Sequence, residues 1–146
     1  MKAITVWQPW ASLIVAGMKQ YETRGWATKF RGRLAIHAAK TENGLFIVRQ
    51  KPLLLNLVCK WLGIDDISEL PMGAVIGSAE LVDCKPTKLV VPALSVKEHA
   101  FGDFSTGRFA WQIDNTVQFA EPIPIAGKQG FWNWEGLKME FIEKQY

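Results

Sequence analysis

A lysine, a glutamate and an arginine fall at Lys19, Glu22 and Arg24 within "GMKQYETRGW", residues 17–26. An amine and a carboxylate this close can pass a proton, steady an oxyanion or activate a water. A guanidinium beside them can hold an anion or lower the amine's pKa. The same three residues also admit a plain structural role. Glu22 and Arg24 would then pair on one strand face, and Lys19 would cap the helix before it.

Aromatic residues crowd the stretch. Trp7 and Trp10 precede it, and Tyr21 and Trp26 lie inside it. Each can fill a core or stack on a base. Gln8 stands beside a helix start, where an amide can read a base edge or cap the helix. His37 lies in the apolar run "GRLAIHAA" and reads as a core histidine or an acid–base group. Arg108, in "STGRFAW", contacts phosphate or simply precedes its strand. "RGR" at Arg31 to Arg33 is a solvated turn or a backbone-phosphate contact.

Other chemistries lack their motifs. The chain has no GxGxxG or Walker loop, no HExxH and no GxSxG. Its two histidines and two cysteines have no ligand-like spacing, so neither metal nor cofactor is expected. Cys59 and Cys84 read as buried thiols in a reducing compartment.

These residues must be positioned by the elements around them. "AITVW" alternates as a strand, and "QPWASLIVAGMK" follows as a helix, with Pro9 at its first position and Gly17 as its left-handed end. "QYETRGW" is extended, and alternation carried back to the residue before it sets Lys19, Tyr21 and Thr23 against Gln20, Glu22 and Arg24 on opposite faces, least firmly at Lys19, where the chain leaves the helix end. "GRLAIHAA" is a strand. Residues 41–62 are helical, interrupted at Pro52. "GAVIGSAELVDCKPT" is the longest strand, with a bulge or close backbone approach at Gly77. "SVKEHAFGDF" is a short helix or turn capped by Ser95. "GRFAWQIDN" is a strand. "VQFAEPIPI" is a further strand, held to a sheet edge by Pro122 and Pro124, before the Gly-rich turn "GKQG". Five or six short strands with interposed helices give an α+β fold around a small mixed or antiparallel barrel.

Composition sets the frame. With 146 residues, 49% hydrophobic and 21% charged, the chain suits one domain, 1–146, with a core of its own. The net charge of +3 divides unevenly, +8 over residues 1–60 and −5 over 61–146. One region then meets an anion such as nucleic acid, or the two halves neutralise each other. No signal peptide is visible. The most apolar segment, "PLLLNLVCKWLGI", carries Asn56 and Lys60 and falls short of the ~20 residues that span a bilayer. A soluble, cytoplasmic protein without a membrane partner is expected.

The stretch "GMKQYETR" fits a GxKxxExR signature at Gly17, Lys19, Glu22 and Arg24, and it resembles the ASCH domain, a relative of the PUA domain. "ITVWQPWASLIVAGMKQYETR", "AIHAAK", "EHAFGDFSTGRFAWQI" and "PIPIAGKQGFWNW" resemble further blocks of that family, in order. The resemblance implies a PUA-like barrel with flanking helices and a cleft lined by the signature stretch. It also implies RNA or a small modified nucleoside as the partner. The cleft would draw on Trp7, Gln8, Lys19, Glu22, Arg24 and Trp26, with His37 and Arg108 as further contacts.

Some small ASCH proteins that this chain resembles hydrolyse N4-acetylcytidine, with a lysine, a threonine and a later glutamate assigned to catalysis. The lysine corresponds to Lys19 and the glutamate to Glu98. The threonine position holds Glu22, and Thr23 is one residue away, on the other strand face. Catalysis would then fall to Lys19, Glu22 and Glu98, with a glutamate activating water. RNA cleavage is a third reading, with Lys19, Glu22, Tyr21 and His37 as its acid–base candidates.

Overall fold

The computed structural model describes residues 1–136. Its centre is a six-stranded sheet in the order β2-β5-β4-β3-β1-β6. The strands are β1 (Lys2–Val6), β2 (Tyr21–Arg24), β3 (Gly32–Ala38), β4 (Ala74–Pro86), β5 (Phe109–Pro124) and β6 (Trp132–Asn133). β1 and β3 run parallel, and the other pairings are antiparallel. The helices are α1 (Trp10–Val15), α2 (Asn43–Arg49), α3 (Pro52–Leu62), α4 (Thr87–Val90) and α5 (Val96–Phe101). This is the α+β arrangement the sequence suggests, with one correction. The barrel is not closed: β2 and β6 stand at opposite ends of the order and do not pair among the described residues.

Alternating apolar residues build the layers. Ile4, Val6, Leu34, Ile36, Leu81 and Trp111 meet Ala11, Ile14 and Val15 of α1 on one sheet face. Ala3, Ala35, Val75, Phe119, Trp132 and Trp134 form a second cluster. The alternation of Ala3 with Ile4 and of Ala35 with Ile36 between these clusters is the period-two signature of strands covered on both faces. Leu13 on the far side of α1 joins Leu45, Val48, Val58 and Phe101, which seats α2, α3 and α5 over α1.

Two expected strands are one. "GRFAWQIDN" and "VQFAEPIPI" run together as β5, with Asn115 at φ 48° between them. Asparagine tolerates that left-handed conformation, so the chain changes direction without leaving the ladder. Pro124 pairs with Ala74 of β4, beyond the span of β5 that β2 covers, so the missing proline N–H costs no bond to β2. At Gly77 the β4–β5 register shifts. A Cβ there would lie 2.2 Å from the Val117 carbonyl oxygen, so the bulge and the close approach coincide. Cys59 and Cys84 are free thiols, half-buried rather than buried. No described helix is long and apolar enough to cross a membrane.

Candidate functional site

The site begins at the end of α1. Gly17 takes φ +76°, its N–H reaches the Ile14 carbonyl at 2.9 Å, and the Met18 N–H reaches that of Leu13 at 2.9 Å. This is a Schellman closure, which needs a residue free to adopt the left-handed region. The Lys19 N–H also lands on the Leu13 carbonyl, at 3.1 Å. Lys19 therefore belongs to the helix end and precedes β2, so strand parity does not govern its direction.

Its side chain is 2% exposed, and Nζ donates to the Tyr21 carbonyl. Burial holds the amine below its ordinary pKa, while the carboxylates of Glu22 and Glu98 pull it back up and Arg24 lowers it slightly further. A buried amine of this kind exchanges its proton more readily than a surface lysine.

β2 then sets the rest by register. Glu22 lies opposite Trp111 of β5 and Arg24 opposite Phe109, while Thr23 lies opposite Ala110. Glu22 and Arg24 share one face and pair, with Oε2 2.9 Å from Arg24 Nη2 and 3.0 Å from Nε. The other Glu22 oxygen accepts the Thr23 N–H at 3.2 Å. Arg24 also donates to the Thr5 carbonyl at 2.9 Å and lies 6.0 Å from the centre of the Trp111 ring. Thus Arg24 ties the edge strand β2 to β1, with which it shares no ladder.

Lys19, Glu22, Thr23 and Arg24 line a cavity of about 500 Å³ with Trp7 and Trp10. Arg108 lines it too, donating from Nη2 to the Thr23 carbonyl at 3.0 Å and pairing with Asp103 at 3.4 Å. The single cleft expected from the sequence is in fact divided. Trp26 and His37 line a second, larger cavity of about 1130 Å³. Thr5, Trp7 and Arg24 are common to both.

Gln8 and Glu98 are placed elsewhere. Gln8 is fully buried, donates to the Ser12 hydroxyl and the Pro71 carbonyl at 2.8 Å each, and accepts the Ser12 N–H at 3.0 Å. Its amide thus serves the start of α1 and the chain before β4. Ser95 caps α5 by accepting the Glu98 N–H at 3.1 Å, and the buried Glu98 carboxylate accepts the Gln20 N–H. Glu98 lines a separate hollow of about 470 Å³ with Gln20, Tyr21 and Trp61. Its charge still reaches Lys19, but its carboxylate holds the backbone behind the amine.

The sequence reading missed Thr5, Lys51 and Asp103 in the smaller cavity and Lys40 and Lys128 in the larger. Only Asp103 left a trace, an acid five residues before Arg108 in a Gly/Ser-rich turn. Thr5 could not be found because it faces the site through the parallel register Thr5↔His37, which joins distant segments.

The family model of the ASCH domain matches residues 4–142. Activating signal cointegrator 1 of Homo sapiens is 30% identical over 132 residues, and its Mus musculus counterpart 28%. Each alignment covers 88% of this chain but 21% of the relative, so the chain spans about a fifth of the length of these proteins. Among solved structures, ASCH from Zymomonas mobilis superposes with a TM-score of 0.55 at 18% identity, covering 98% of this chain and 91% of that one. A mutant of the same protein gives 0.53, again at 18%, with 94% of it covered. At this identity the likeness is one of fold.

Proposed function

This chain belongs to the ASCH domain family, and on that premise we propose that the cavity around Lys19 binds RNA or a small modified nucleoside. One observation carries the reading. A buried amine, a paired carboxylate and a guanidinium line one concave site with Trp7 and Trp10. Such a site offers stacking surface, a hydrogen-bond acceptor and positive charge, which match a base, a sugar and a phosphate. Trp7, 41% exposed, is available to stack. The PUA-like superfamily to which the domain is related is associated with RNA.

The test is a titration with cytidine, N4-acetylcytidine and a short single-stranded RNA, followed by tryptophan fluorescence. Saturable quenching that is lost in Lys19→Met and weakened in Arg24→Ala is expected. No response to any of the three probes would remove the reading.

The lowered pKa of the Lys19 amine favours a second reading, hydrolysis of N4-acylated cytidine. A neutral amine can take a proton from water as the water adds to the acyl carbon. The bond from that carbon to N4 then breaks as the ammonium returns its proton to N4, and the carboxylic acid departs. Glu22 and Asp103 are the carboxylates that line the cavity with Lys19. Release of cytidine from N4-acetylcytidine by the wild type, and not by Lys19→Met, is the expected signature.

A further inference from the structure

We propose that the helical side of the smaller cavity is an acyl subsite, so that its ligand carries an apolar chain longer than acetyl, and that Ile47 and Leu54 select for that length. The proposal rests on the reading of the Lys19 cavity given above, which uses only part of the lining. Lys19, Glu22, Thr23 and Arg24 come from the end of α1 and from β2. Ile47 of α2, Leu54 of α3 and Ala100 and Phe101 of α5 come from the helical layer, and Trp10 of α1 joins them. The polar groups and Trp7 serve a base and a sugar. Neither needs an aliphatic wall.

Burial sorts the apolar residues. Phe101 is 1% exposed and belongs to the core cluster of Leu13, Leu45 and Val58. Trp10 and Leu54 are half-buried against the same cluster. Ile47 differs. Leu45 and Val48 give α2 its buried face, while Ile47 stays 37% exposed and lines the cavity instead. An aliphatic side chain left open on a concave wall gains when an apolar group of a ligand covers it. With the base against Trp7 and β2, the acyl group on N4 is the part of the ligand that meets the helices. Lys51, at the junction of α2 and α3, lines the cavity on this side too. It is exposed and has no ion pair among the described residues, so a chain ending in a carboxylate is the rival occupant.

The experiment measures affinity by stopped-flow tryptophan fluorescence, ahead of any turnover. Its probes are cytidine, N4-acetylcytidine, N4-hexanoylcytidine and N4-adipoylcytidine, the last a chain of the same length that ends in a carboxylate. Each buried methylene brings about a fourfold gain. After the chain is ordered, the hexanoyl derivative should bind at least about tenfold more tightly than the acetyl one. Ile47→Ser should cut that ratio to about threefold or less, and Leu54→Ala should lower it as well. Leu53→Ser, at a residue 86% exposed and outside the cavity, should leave the ratio as in the wild type. Thermal unfolding checks that each variant is folded, and Ile47→Ser alone decides the matter if Leu54→Ala is not. A hexanoyl derivative no tighter than the acetyl one, with cytidine still bound, overturns the acyl subsite and leaves the Lys19 reading intact. A ratio that survives Ile47→Ser overturns the assignment to this wall. An adipoyl derivative as tight as the hexanoyl one gives the chain's end to Lys51 and overturns an apolar subsite. No binding of any of the four overturns the Lys19 reading and the subsite together.

Discussion

Arg24 of β2 donates to the carbonyl of Thr5 in β1 at 2.9 Å, and the two residues form part of the wall between the two cavities. The same guanidinium holds Glu22 through two nitrogens. One side chain therefore fixes a strand edge, orients a carboxylate and presents charge to both cavities.

Removing it should cost more than a surface ion pair. In Arg24→Ala the largely buried Glu22 carboxylate loses its counterion and the Thr5 carbonyl loses its donor. Unfolding in urea should show a loss of about 2–3 kcal/mol. Arg24→Lys should recover only part of it, since an ammonium cannot reach both Glu22 and Thr5 in the fork geometry of a guanidinium. Equal stability of wild type and Arg24→Ala would show that the pairing contributes nothing.

Lys19 makes stability depend on pH. Burial holds its folded-state pKa below the ordinary 10.5. Between that lowered value and 10.5 the unfolded chain carries the extra proton, so stability rises with pH across the window. Below the window both states are protonated, and burial of the charge remains a constant penalty. Urea denaturation at a series of pH values should show wild type gaining on Lys19→Met as pH rises towards 10.5. A difference that stays flat means the amine titrates as it does in the unfolded chain.

Glu22 and Glu98 should separate cleanly. Glu22→Gln removes a charge inside the cavity and should weaken cytidine binding about tenfold, the usual scale for one charge-assisted contact. Glu98→Gln keeps an oxygen for the Gln20 N–H and neutralises a buried group whose second oxygen has no partner among the described residues. It should leave cytidine affinity within about twofold and stability within about 1 kcal/mol. Abolished binding or turnover in Glu98→Gln would place that carboxylate in the chemistry after all.

Gly44 positions the aromatic wall. A Cβ there would lie 2.0 Å from the Gln8 carbonyl oxygen, 2.9 Å from the Trp10 ring and 3.1 Å from Trp7 Cβ. Gly44→Ala should therefore destabilise the fold by about 1–3 kcal/mol despite its helical site, where alanine is ordinarily preferred. It should also displace Trp7, read as a shift in tryptophan emission and weaker cytidine binding. A neutral or stabilising result would mean that the start of α2 moves away without strain.

Much of the local structure was legible. Gly17 as a left-handed helix end, Ser95 as a cap, Gly77 as a bulge and the pairing of Glu22 with Arg24 each depend on residues close in sequence, or on one backbone's own limits. Those are the scales on which composition and periodicity act. The cluster Lys19, Glu22 and Arg24 was visible because a single turn and one short strand bring it together.

The sequence by itself determined the α+β class, the helix end that carries Lys19 and the charge pair beside it. Tertiary structure decided the rest. It joined two expected strands into β5, because Asn115 could bend the chain while β4 continued to pair on both sides of it. It left the sheet open, which depends on which strands meet at its ends. It turned Gln8 and Glu98 inward to satisfy backbone groups of distant segments. And it divided one imagined cleft into two, because the parallel pairing of β1 with β3 sets Thr5 beside His37 and lets Arg24 reach across from β2. Parallel pairing needs a crossover of a dozen or more residues, and nothing in the residues themselves records which partner lies at its far end.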